Sequence, residues 1–134
     1  MTTPPSAGQV GEIEITVTAD RTADAMGNRG VHVLATPYVV GLLEEAAIAA
    51  IKASTPPGGG SVGTTIEMKH LAATPVGMKV RARATVLETD GKRVVFAVEA
   101  FDDKEKIAEG RHERFIVGDM ARFLERAMKK GSAR

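Results

Sequence analysis

Along this chain the apolar and polar positions change rhythm several times, and each rhythm predicts an element. "GEIEITVTAD" sets Ile13, Ile15 and Val17 against Glu12, Glu14 and Thr16, the period-two pattern of a half-buried strand. Arg21 to Gly30 are small and polar and predict a loop or a short helical turn. Thr36 and Pro37 open a helix, with a hydroxyl able to cap and proline at the first helical position. That helix runs to about Lys52 or Ala53, where "STPPGGGSVG" stops it, because prolines and a glycine run cannot continue it.

Four strand-like stretches follow: "VGTTIEMKHLA", "MKVRARATVLET", "RVVFAVEAFDD" and "EKIAEGRHERFIVG". The second places Val80, Ala82, Ala84 and Val86 opposite Lys79, Arg81, Arg83 and Thr85. "DGK" supplies a tight turn into the third. "DMARFLERAMKK" predicts a closing amphipathic helix, with Asp119 in its first turn and Lys129 and Lys130 in its last, as the helix dipole favours. The string is strand, long apolar helix, four-strand meander and terminal helix: an α+β domain with an antiparallel sheet on the helix. The long helix is apolar all round, so a sheet curling about it would bury it fully. No repeat or second domain is evident, and residues 1–134 read as one domain with residues 1–9 expected to be flexible.

Bulk properties narrow the function. Eighteen basic residues against 17 acidic ones leave a net charge of +1, which argues against nucleic acid or an anionic membrane as partner. There are no cysteines, so thiolate metal sites and cysteine nucleophiles are excluded. His32, His70 and His112 are scattered without metal-ligand spacing, and no metal is expected. No apolar run reaches the length of a membrane span, and the N-terminus lacks the layout of a secretion signal. A cytoplasmic protein is expected.

The chemistry begins with Glu44 and Glu45, the only charged residues between Pro37 and Ile51. A buried carboxylate is costly unless paired or hydrogen-bonded. On a helix Glu44 neighbours Val40, Ala47 and Ile48, while Glu45 neighbours Gly41, Ile48 and Ala49. Both patches are apolar, and periodicity does not separate the two. The plain alternative is one glutamate at the solvent rim and one making a structural hydrogen bond. His70 shares a strand face with Ile66 and Met68. Such a histidine is usually a satisfied core residue, but beside a buried carboxylate it can form an acid–base pair whose imidazole is oriented and raised in pKa. "PPGGGSVG" lacks the Gly-Lys-Ser/Thr ending of a phosphate loop, although Gly63 can let a ligand approach the backbone closely. "GRHERF" reads as a solvated charged face, His112 included.

Together, "ATPYVVGLLEEA", "GSVGTTIEMKHLAATPVGMKV" and "GRHERFIV" resemble the hotdog-fold thioesterases of the fluoroacetyl-CoA thioesterase-like group. The likeness runs from about Val10 to Lys130 and is strongest between Thr36 and Gly77. It rests on Thr-x7-Glu, the glycine before the strand, a histidine 26 positions after the glutamate, and "HER". The resemblance implies a hotdog fold, an antiparallel sheet wrapped around a long central helix, in a homodimer with active sites at the subunit interface. By position it implies catalytic Thr36, Glu44 and His70, with Gly63 and Arg114 contacting substrate, and so favours Glu44 over Glu45. It implies acyl-CoA as substrate and no cofactor beyond the coenzyme A that the substrate carries. Fluoroacetyl-specific members hold a longer, phenylalanine-rich lid between the first strand and the helix. Here that segment is "RTADAMGNRGVHVL", shorter and without Phe, Tyr or Trp. A general short-acyl or aryl-acyl thioesterase is the better expectation.

His70 would then be the general base, oriented by Glu44, with Thr36 delivering or positioning the attacking hydroxyl. Thr36 and Glu44 on one continuous helix would lie about 12 Å apart along its axis. Either residues 36–40 are not helical, or one site combines Thr36 of one subunit with Glu44 of the other. Two rivals stand beside this reading: a non-catalytic acyl-CoA-binding hotdog domain, and a hydratase of the same fold using Asp24 and His32. Lys69, Arg81, Arg83 and Arg114 are all candidates for the coenzyme A phosphates.

Overall fold

The computed structural model describes residues 2–132. Seven main elements run in chain order: β1 (Val10–Thr16), α1 (Thr36–Ala50), β2 (Gly60–His70), β3 (Lys79–Asp90), β4 (Arg93–Asp102), β5 (Lys106–Val117) and α2 (Met120–Gly131). Single 3-10 turns at Ala19–Arg21 and Asp24–Met26 occupy the polar segment before α1. A third, Lys52–Ser54, follows the end of α1 at Ala50, slightly earlier than the sequence suggests. Residues 2–9 form no strand or helix, but the Thr3 N–H donates to the Ala53 carbonyl and the Gly8 N–H to that of Val86. Met1 and residues 133–134 lie outside the described residues.

All five strands join one antiparallel sheet in the order β1-β3-β4-β5-β2. This corrects the four-strand meander. β3, β4 and β5 are joined by short turns and do pair in sequence order. The connection from β2 to β3 is too long for a hairpin, and the chain crosses over, leaving β2 paired with β5 at the far edge. The Val33–Pro75 bridge ties that crossover to the segment entering α1.

α1 lies on one face of the sheet. Val39, Leu42, Leu43, Ala46, Ala47 and Ala50 meet Val80, Ala82, Ala84 and Val86 of β3 and Val94, Phe96, Val98 and Ala100 of β4. The alanines on both sides bring the layers close. Closest of all is Gly11 in β1, where a Cβ would sit 2.2 Å from the Ala46 carbonyl oxygen and 2.3 Å from the Ala50 nitrogen. Burial of α1 is one-sided, contrary to the expectation from its composition. Tyr38 is 39% and Ile48 47% exposed, with Glu45 exposed between them. α2 is capped by Asp119, whose carboxylate accepts from the Arg122 N–H at 3.0 Å, and it buries no residue. No helix among the described residues is long and apolar enough to cross a membrane.

Candidate active site

Thr36 breaks the local rule that its position suggests. The N-cap of α1 is Ala35, and Thr36 is the first helical residue with Pro37 behind it. Its hydroxyl, free of capping, hydrogen-bonds instead to His70 Nδ1 at 2.9 Å. His70 ends β2 on the face it shares with half-buried Ile66 and Met68, as the alternation predicts. Its Nε2 is buried and has no hydrogen-bond partner among the described residues. Burial lowers the His70 pKa, and the Ala72 backbone near the ring acts the other way. No carboxylate of the same protomer contributes, so the raised pKa expected beside a carboxylate is absent within one chain. A neutral ring that accepts the Thr36 proton at Nδ1 carries its own proton on Nε2. Beside this pair opens a cavity of about 330 Å³, lined by Ala23, Val31, Val33, Ala72 and Ala73, with Asn28 among them.

A second cluster forms around Gly63. A Cβ placed there would lie 3.2 Å from His112 Cε1, 3.3 Å from Arg114 Nη1 and 3.5 Å from Glu44 Oε2. Glu44 reaches this point from α1, half-buried, and makes no ion pair or side-chain hydrogen bond among the described residues. A bulge between Gly63 and Thr65 opens the strand at the same place, and a cavity of about 150 Å³ lies between Glu44, Gly63, Ile66 and His112. Arg114 is 5% exposed. Its Nε donates to Ser61 Oγ at 2.8 Å, Nη2 to the Ser61 carbonyl at 3.0 Å, and Nη1 to His112 Nε2 at 3.2 Å. Burial lowers the Arg114 pKa and the Glu44 charge raises it.

His112 is not on a solvated face. It is 1% exposed, stacks on Phe96 with ring centroids 5.9 Å apart, and donates from Nδ1 to the Thr65 carbonyl at 2.7 Å. Burial lowers its pKa most; the Thr65 bond opposes this, the Arg114 charge reinforces it, and Glu44 and Glu113 oppose it. Only the alternate residues of "GRHERF" are solvated: Arg111 is exposed, and half-buried Glu113 accepts two hydrogen bonds from Arg93 at 2.8 and 3.1 Å. The missed signal was parity. His112 and Arg114 share the register of buried Ile116, and so the inner face.

The remaining candidates lie apart. Asp24 and His32 approach to 4.0 Å on an exposed loop, where the Asp24 carboxylate already accepts the Gly30 N–H at 2.9 Å. Lys69, Arg81 and Arg83 are exposed, and Arg83 lies 3.9 Å from Glu12. No group of three or more His, Asp or Glu able to hold a metal gathers among the described residues. The Thr36–His70 pair and the Glu44–Gly63–Arg114 cluster are likewise separate, because α1 is one continuous helix from Thr36 to Ala50. A non-helical fold-back of residues 36–40 is thereby overturned.

Comparison with known proteins bears on the family and the fold. The family model for fluoroacetyl-CoA-specific thioesterase matches residues 17–120. A fluoroacetyl-CoA thioesterase from Streptantibioticus cattleyicolor is 40% identical over 86 residues, which span 64% of this chain and 62% of that relative's length. A solved variant of the fluoroacetyl-CoA enzyme in complex with acetyl-CoA superposes with a TM-score of 0.88 at 29% identity, covering 93% of this chain and 98% of the other. A hot-dog-like protein from Thermanaerovibrio acidaminovorans superposes with a TM-score of 0.84 at 23% identity, covering 96% and 94%, which speaks for the fold. The fold of this chain is the hotdog fold.

Proposed function

The chain belongs to the fluoroacetyl-CoA-specific thioesterase family, and from that membership we propose that it hydrolyses a short-chain or aryl acyl-CoA at sites completed by two copies of the chain. One observation carries the proposal: the hydroxyl–imidazole pair of Thr36 and His70 borders an apolar cavity, while the carboxylate of Glu44 faces a different opening. Neither cluster alone holds nucleophile, base and charged partner. Two features of the protomer favour a homodimer that joins them. β2 is an edge strand 11 residues long, whose unpaired backbone groups suit strand addition. α1 shows Tyr38 and Ile48 to solvent. Antiparallel pairing of two β2 edges brings the Gly63 end of one strand alongside the His70 end of the other.

In such a site His70 takes a proton from the Thr36 hydroxyl, or from a water held by it, and the resulting oxygen adds to the thioester carbonyl carbon. The oxyanion is held by N–H donors near Gly63, among them the Arg114 guanidinium. The C–S bond then breaks, and coenzyme A leaves as a thiolate that takes up the proton from His70. If Thr36 was acylated, a water activated by the same base frees the acid. The partner subunit's Glu44 stabilises the imidazolium that His70 becomes through its charge. Within one protomer burial lowers the His70 pKa, which favours the neutral ring that a base requires, and the partner's carboxylate acts the other way. The reaction needs no cofactor and suits a cytoplasmic enzyme acting on free acyl-CoA.

The cavity supports the substrate class proposed. Its walls are short side chains with no Phe, Tyr or Trp, leaving room for an acyl group larger than acetyl. The test is hydrolysis of acyl-CoA thioesters from acetyl to hexanoyl and phenylacetyl, with released thiol trapped by a chromogenic disulfide. Wild type is expected to turn over the larger members, and folded Glu44→Ala and His70→Ala to lose at least about a hundredfold in kcat. Binding of acyl-CoA without cleavage by wild type would make the chain a binding domain and overturn the proposal.

A further inference from the structure

We infer that His112 is a positioning residue of the acyl-CoA site, whose Nε2 lone pair pins the Arg114 guanidinium beside the gap over Gly63. The inference rests on Glu44, Gly63 and Arg114 forming one half of the thioesterase site. Arg114 has five N–H donors. Ser61 Oγ, the Ser61 carbonyl and His112 Nε2 take three of them. One N–H on Nη1 and one on Nη2 remain. Nη1 is also the Arg114 atom that stands 3.3 Å from where a Gly63 Cβ would be, the point that Glu44 Oε2 approaches to 3.5 Å. The spare Nη1 proton therefore belongs to the gap bordered by the carboxylate, and His112 decides which Nη1 proton is spare.

His112 can do this only as a neutral ring protonated on Nδ1. The Thr65 carbonyl enforces that tautomer by accepting from Nδ1 at 2.7 Å, and stacking on Phe96 fixes the ring plane. Both nitrogens of the buried ring are engaged. Here the two bonds run in series from the β2 backbone through the ring to the guanidinium. Thr65, the backbone acceptor, is also the residue that closes the bulge after Gly63. The glycine gap and the arginine fork are thus set by one ring.

Asparagine and glutamine divide the two functions of the ring. His112→Asn keeps a donor near the Nδ1 position and loses the acceptor for Arg114, whereas His112→Gln keeps an acceptor near the Nε2 position. Each is compared with wild type for kcat, KM and thermal midpoint on the best acyl-CoA substrate. Glutamine is expected to retain kcat/KM within about threefold and asparagine to lose at least about tenfold, at similar thermal midpoints, because a guanidinium misplaced by an ångström weakens catalysis steeply. In parallel, NMR of the arginine side-chain N–H groups is expected to show a restrained Arg114 in wild type and the glutamine variant, and a freely rotating one in the asparagine variant. The spectra report the positioning even if wild type cleaves no thioester, so failure of the thioesterase reading is distinguishable. Equal losses in both variants, in step with stability and with Arg114 equally restrained, would overturn the inference.

Discussion

Gly63 stands where Glu44, His112 and Arg114 converge, and the methyl it lacks is what keeps that space open. Its backbone is not in the left-handed region, so alanine there tests the space alone. Gly63→Ala is expected to lower kcat/KM by roughly tenfold or more through lost access to the spare guanidinium proton, with little change in thermal midpoint. Thr36 makes a complementary point. Thr36→Ser keeps the hydroxyl that His70 engages and should retain activity, whereas Thr36→Val should lose most of kcat while preserving the fold. At this scale the sequence was partly legible. The faces of β3 and the inward face of His70 follow from alternation. Glu44 and Glu45 are adjacent on an apolar helix, so no periodicity could tell which one meets Gly63; that depends on the sheet. His112 was obscured by its charged neighbours, although its parity with Ile116 marked the inner face.

Elements were more legible than their neighbours. Helix α1 and all five strands follow from hydrophobic period, although α1 ends at Ala50, before the proline and glycine run that the sequence offers as its stop. The position of β2 was not, because adjacency in sequence favours a hairpin that the long connection to β3 does not make. Pairing with β5 leaves β2 as an edge, and that edge carries both Gly63 and His70. Gly11 shows how tightly β1 meets α1: the atoms a Cβ would strike are backbone atoms of α1, which cannot swing aside. Gly11→Ala is therefore expected to destabilise the fold by roughly 1–3 kcal/mol in denaturant unfolding, as overpacking does. The all-round apolarity of α1 was read as full burial under a curling sheet, but the sheet of one protomer covers only one side. Charging the other side with Tyr38→Glu and Ile48→Glu should shift the protein to monomer in light scattering and remove activity together with the dimer.

For the whole molecule, half-buried His70 and buried His112 give stability a defined pH dependence. Both His70 and His112 have pKa values lowered from the ordinary histidine value near 6.5, chiefly by burial. The unfolded chain then binds protons that the folded chain refuses. Stability is full above about pH 6.5 and falls as pH drops from there toward the lowered folded values. Protonating His112 also turns its Nε2 into a donor facing the Arg114 guanidinium. Thermal midpoints measured from pH 8 to 5 should decline below about 6.5, and His112→Gln should decline less steeply.

The central claim is that each site takes Thr36 and His70 from one protomer and Glu44 from the other. It is tested most directly by mixing two inactive variants, Glu44→Ala and His70→Ala, after unfolding and refolding them together at equal concentration. Half of the dimers then contain one chain of each kind, and in these one site is built entirely from intact residues. Recovery of about a quarter of the wild-type rate, with none in either variant refolded alone, is the predicted result. A mixed population that forms dimers but recovers no activity would contradict the shared site.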